Sequence, residues 1–129
     1  MLSVNKRAWL IPALCAGLCL LPGPAAAQQV RLLVQSSPLA GFRYHQAPEV
    51  WRGMRVGDAL RLEREPDNVH DAQAISVQWR GHKLGYVPRA QNAALAWAMD
   101  RGEKLDARVS RLEANRNPRK RIEFEVYVE

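Results

Sequence analysis

Glu65, Asp67, Asn68 and Asp71 crowd four oxygen-bearing side chains into one short stretch of the chain. Such a cluster is the raw material of a calcium site. An EF-hand loop, however, also needs a glycine at its sharp turn and a bidentate Glu at its end, and neither is present. His45, His70 and His82 are scattered, and none stands at metal-ligand spacing from another His or a Cys. There is no nucleophile elbow and no glycine-rich loop to cradle phosphate. No enzyme, metal or cofactor is expected. The chemistry on offer is recognition. Apart from Lys83, Lys104 and Lys120, every base after residue 27 is Arg, whose planar fork suits phosphate and stacks on bases.

The N-terminus bears on where that recognition takes place. Lys6 and Arg7 precede an apolar run from Ala8 to Leu21, Pro22-Gly23-Pro24 interrupts it, and Ala25-Ala26-Ala27 supplies small residues. This order predicts a secretory signal peptide over 1–27, cleaved after Ala27, with one domain over 28–129. The apolar run is short for a membrane span. The alternatives are an uncleaved anchor, or a lipid on Cys19, against which Leu18 stands where a small residue is needed. The expected compartment is the periplasm or beyond, with no membrane span after cleavage. Cys15 and Cys19 both lie in the leader, so the mature chain has no disulfide. Cleavage also removes Lys6 and Arg7 from the 19 bases, leaving 17 against 13 acids, a net +4. That charge favours polyanions without singling out nucleic acid. Intact mass of the periplasmic protein tests the cleavage; residues 1–27 still attached and in membranes would contradict it.

The elements that must position any site are legible in the alternation. Ala59 to Arg64 alternates apolar and charged residues and predicts a strand. Pro66, Asp67 and Asn68 make a turn, Pro by fixing its φ and the other two by bonding nearby amides. Ala74 to Trp79 and Lys83 to Val87 predict two more strands, the last ending at Pro88. Gln29 to Gln35 predicts a first strand closed by Ser36-Ser37-Pro38. Gly41 permits a bend before Phe42-Arg43-Tyr44, and Pro48 to Met54 a helical turn with Trp51 and Met54 capping one end. Arg89 to Met99 is the main helix, with Gly102 at its C-terminus and Trp97 assigned to the core. Leu105 to Leu112 and Arg121 to Val128 alternate again and form a hairpin. Its tip carries Arg116, Arg119, Lys120 and Arg121, read as a solvated loop.

Glu65-Pro66-Asp67-Asn68, Asp71, Ala74-Ile75 and Gly85-Tyr86-Val87-Pro88-Arg89 together resemble the core signature of the HIRAN domain, over about residues 30–129. The family occurs on fork-remodelling helicases and as small stand-alone bacterial proteins. The resemblance implies a mainly β fold: a small OB-like β-barrel of about six strands with one main α-helix after Pro88. It also implies binding of single-stranded DNA at a free 3′ end, by a monomer.

Under that resemblance Arg43 and Tyr44 contact phosphate and the terminal nucleotide. Asp71 faces the terminal hydroxyl, accepting its hydrogen bond while repelling a 3′-phosphate. Tyr86 lines the pocket, and Arg89 lies near the backbone. His70 departs from the pattern, standing where nucleic-acid-binding members often carry Tyr. Imidazole still stacks, over less area, and when protonated meets phosphate. Each residue also has a plainer role. Asp71 can cap its own turn, Arg43 can pair with Asp71 or Glu65, Tyr44 and Tyr86 can fill the barrel mouth, and Arg89 can simply open the helix. The alternative function is an envelope module that kept the barrel and binds a protein.

Overall fold

The computed structural model describes residues 31–128, so the leader and its cleavage site lie outside the described residues. Six antiparallel strands form one sheet: β1 (Leu32–Pro38), β2 (Ala59–Arg64), β3 (Ile75–Trp79), β4 (His82–Tyr86), β5 (Leu105–Leu112) and β6 (Ile122–Val128). Their order is β1-β6-β5-β2-β3-β4. The alternation in sequence becomes alternation in burial: Leu60 and Leu62 on β2, Ala107 and Val109 on β5, and Ile122, Phe124 and Val126 on β6 all point into one core. The sheet curls toward a barrel without closing. β1 and β4 share no ladder, and a single bridge between Ala40 and Tyr86 spans the gap, with both backbone bonds made at 2.9 and 2.8 Å. The expectation of a mainly β, OB-like, six-stranded fold with one main helix holds, with an open seam. Among the described residues no helix is long and apolar enough to cross a membrane.

Two short helices flank the sheet. α1 (Ala47–Val50) continues into a 3₁₀ turn over Trp51–Gly53, and Met54 is buried behind it. α2 (Ala93–Asp100) follows a separate 3₁₀ turn over Arg89–Gln91, so the predicted helix from Arg89 is two pieces. Arg64 ties α2 to the sheet: its guanidinium donates to both carboxylate oxygens of Asp100, at 2.9 and 3.1 Å, and to the Ala74 carbonyl.

Three expectations need correction. β1 starts and ends three residues later than predicted, taking in Ser36-Ser37-Pro38. Ser37 is buried because its hydroxyl donates to Gln91 Oε1 at 2.7 Å, while Leu32, Leu33 and Val34 are exposed. Pro38 is tolerated because β1 pairs only with β6. Trp97 is 63% exposed rather than in the core, since α2 turns Leu95, Ala96 and Ala98 inward. The hairpin tip is solvated as expected at Arg116, Arg119 and Lys120, but not at Arg121. It folds as a 3₁₀ turn over Pro118–Lys120 against the turn at Phe42–Tyr44, and Arg121 reaches inward, 5.1 Å from the Phe42 ring and 5.8 Å from that of Trp51.

Candidate nucleic-acid interface

The site forms where the open seam meets the turn between β2 and β3. Gly41 adopts φ +78°, a left-handed conformation that glycine takes without strain, and turns the chain into the Phe42–Tyr44 helical turn. Phe42 drops into the core while Arg43 and Tyr44 stay exposed, Tyr44 at 81%. Across the seam the loop at 65–71 is built by its own side chains. Asn68 Oδ1 accepts the His70 and Asp71 amides at 2.8 and 3.2 Å, and Asp71 Oδ1 accepts that of Gln73 at 2.9 Å. The third wall is the end of β4 and the turn after it, bringing Tyr86 and Arg89.

These segments enclose a cavity of about 560 Å³ lined by Tyr44, His45, Asn68, His70, Asp71, Tyr86 and Arg89, with Ala40, Gly41, Ala74 and Val87 between them. Five of the six residues singled out in the sequence therefore meet in one space. The sixth, Arg43, lines an adjoining cleft of about 270 Å³ with Phe42, Asn117, Pro118 and Arg119, and Gly41 and Tyr44 border both. His45 and Asn68 line the cavity without having been singled out for it. Asn68 is visible in sequence as a turn former and a member of the signature, and His45 only as one of three scattered histidines.

The hydrogen bonds fix the cavity's polarity. Tyr86 donates its hydroxyl to Glu65 Oε1 at 2.8 Å and accepts from Lys83 Nζ at 2.6 Å; Lys83 also donates to Glu65 Oε2 at 2.9 Å. Lys83 Nζ lies 4.4 Å from the Tyr86 ring centroid, and His45 meets that ring edge-on at 5.3 Å. The Tyr86 ring is thus held from several sides. Asp71 both caps its turn and lines the cavity. Its Oδ2 accepts from Asn92 Nδ2 at 2.8 Å and lies 3.8 Å from Arg89 Nε, while Arg89 also donates to the His70 carbonyl. Arg89 is therefore exposed yet anchored. The ion pairs of the plainer reading fall to other bases, Glu65 to Lys83 and Asp71 to Arg89.

The protonation states follow. The Gln73 amide and then the Asn92 amide hold the Asp71 carboxyl below its ordinary range. Burial pushes Glu65 up, but hydrogen bonds from Lys83, Tyr86 and Asn68 outweigh it and leave the carboxyl lowered. Burial likewise opposes the Lys83 charge, and bonds with Tyr86 and Glu65 overcome it, so the amine is raised. Burial, reinforced by Lys83, lowers His45 and keeps it neutral. Lowered carboxyls stabilise the fold above their unfolded value of about 4, and this is lost as pH falls through their folded values. The raised amine stabilises it below about 10.4, and this is lost as pH rises through its folded value. Lys83→Met is expected to cost about 1 kcal/mol near neutrality, the pair being partly exposed. It should also flatten the alkaline fall in the urea midpoint. An unchanged alkaline limb would contradict this.

Comparison with known proteins follows the same outline. The family model described as HIRAN domain matches residues 32–129. A protein from Lactobacillus plantarum, known as a crystal structure, is similar at 32% identity, over 77% of this chain and 95% of that one, with a TM-score of 0.67. The HIRAN domain of human HLTF is similar at 21% identity, over 76% of this chain and 78% of that one, with a TM-score of 0.58. No curated protein matches the chain.

Proposed function

The chain belongs to the HIRAN domain family, and on that premise we propose that it is a non-enzymatic module that binds single-stranded nucleic acid at a free 3′ end. The observation that carries the reading is the convergence of Tyr44, His70, Asp71, Tyr86 and Arg89 on one cavity. Single-strand binding calls for a cationic track and aromatic platforms. Tyr44 and Tyr86 are the platforms. Arg89 at the cavity, and Arg43 with Arg119 in the adjoining cleft, are the track. Asp71, held ionised, is an acceptor for a terminal hydroxyl and a repulsive neighbour for a terminal phosphate. His70 adds an imidazole at the rim. The strand ends in the cavity, passes Tyr44 and leaves along the cleft beside the hairpin tip. The protein acts as an exported monomer, after cleavage near Ala27.

Fluorescence anisotropy with a short labelled single strand tests this. The expected Kd is on the order of 1–100 μM at physiological salt, the range of largely charge-driven binding. With two to three phosphates neutralised, the log–log salt slope should be about −1.5 to −2. Arg43→Ala should weaken every sequence alike and make the slope shallower by about 0.7. No binding at low salt would remove the nucleic-acid reading and favour the envelope module that binds a protein.

A further inference from the structure

Asn92 is 1% exposed and stands at the residue before α2. Asn is favoured at such a position because its side-chain oxygen can accept one of the free amides of the first helical turn. Asn92 does not do this: its side chain makes no capping bond. Its Nδ2 reaches away to Asp71 Oδ2 at 2.8 Å, and its buried Oδ1 meets no donor among the described residues. A buried polar atom without a partner calls for a reason. Helix capping does not supply one: the Asn92 backbone is itself helical, φ −93° and ψ −19°, rather than the extended conformation from which a cap side chain bonds the first-turn amides.

The reason lies in what the amide faces. Rotating it by half a turn would set Oδ1 against a carboxylate oxygen, acceptor against acceptor. Only the observed orientation serves an ionised Asp71. The amide's origin is fixed as well. The Asn92 carbonyl accepts the Ala96 amide at 2.8 Å, and the preceding turn is pinned to β1 by the bond from Ser37 to Gln91. Asp71 is thereby gripped on both oxygens, Oδ1 by the Gln73 amide and Oδ2 by Asn92, while it lines the cavity.

We infer that Asn92 is a positioning residue, which leaves α2 without a side-chain cap and fixes the orientation of the Asp71 carboxylate toward the cavity, and so sets the selectivity for a terminal hydroxyl. The link to selectivity rests on the reading above; the positioning itself does not. The other charged groups bearing on Asp71 are Arg89, from the turn after β4, and Arg64, from β2. Their action is Coulombic and weakens with salt, whereas a buried hydrogen bond persists.

The test uses Asn92→Leu and Asn92→Ala in the full chain. The Asp71 carboxyl is titrated by carbon-detected NMR at low and high salt, alongside chemical denaturation. Both variants are expected to lose some stability near neutrality, because a raised Asp71 titration removes part of what the lowered carboxyl contributes, and removal of the unpaired Oδ1 offsets part of that loss; Ala carries the smaller risk of overpacking. In both, Asp71 should titrate at higher pH, and the increase should survive high salt. Arg89→Met should also raise the titration, but only at low salt. Binding of oligonucleotides ending in hydroxyl or phosphate should show the hydroxyl preference reduced roughly two- to tenfold, the worth of one hydrogen bond. An Asp71 titration unchanged in Asn92→Ala overturns the positioning role. A raised titration with the hydroxyl preference intact overturns its link to selectivity. If the unmodified chain binds neither oligonucleotide, the end-binding reading falls, and the titration still decides the role of Asn92.

Discussion

Gly85→Val is expected to be the most damaging single change to the fold. Gly85 lies on β4 opposite Val77, next to the bulge between Val77 and Gln78, and its neighbour Tyr86 makes the bridge to Ala40 that spans the seam. A β-carbon at Gly85 would overlap the Ala40 carbonyl oxygen and sit 3.2 Å from the Leu39 side chain. The backbone cannot yield cheaply, because that carbonyl accepts the Tyr86 amide at 2.8 Å and Leu39 is 1% exposed. The cost should reach about 3 kcal/mol, the upper part of the overpacking range. For a domain of this size that lowers Tm by more than about 10 °C. The same bridge holds the Gly41–Tyr44 segment beside Tyr86, so protein that remains folded should also lose the cavity. An unchanged denaturation midpoint would show that β4 and the Ala40 segment do not approach as described.

Asp71→Ala is expected to have the largest effect on selectivity. In the proposed complex the carboxylate accepts the terminal hydroxyl, and a hydrogen bond to a charged group is worth about 1.5–3 kcal/mol. Its loss should weaken binding of hydroxyl ends by about ten- to a hundredfold. Phosphate ends, freed of like-charge repulsion, should bind as well as before or better, erasing the preference. Alanine also removes the cap on the Gln73 amide. Asp71→Asn keeps an acceptor for that amide and removes only the charge, and it should lose the preference too. Equal weakening of both ends in both variants would mean that Asp71 only shapes the loop.

Much of the sheet was legible because alternation is a direct record of which face is buried. Ala59–Arg64 and Leu105–Leu112 match their strands residue for residue. β1 was misread because its polarity is inverted: Leu32, Leu33 and Val34 face out, while Ser37 faces in on a hydrogen bond that only the folded chain supplies. α2 is apolar nearly all round, so nothing local distinguishes the face bearing Leu95 from that bearing Trp97. The tip charges looked alike in sequence, yet Arg121 turns onto Phe42 and Trp51 while Arg119 lines the cleft.

The site was legible only by resemblance. Its residues come from three segments, around 41–45, 68–74 and 86–89, which spacing alone cannot bring together. Asn92 escaped because Asn at the start of a helix has an ordinary explanation, which the geometry then withdraws. The Lys83–Glu65 pair escaped for a related reason: Glu65 follows β2 and Lys83 lies on β4, with β3 between them, and they meet only over the Tyr86 hydroxyl.

The measurement that bears most directly on the central claim uses one labelled single-stranded oligonucleotide, prepared with either a 3′-hydroxyl or a 3′-phosphate and titrated with the unmodified protein at two salt concentrations. End recognition by Asp71 predicts that the hydroxyl form binds tighter by about tenfold or more, the worth of one charge-assisted hydrogen bond. The two forms should differ less in their salt slopes, because the same arginines hold both backbones. Equal affinity for the two ends would contradict the account.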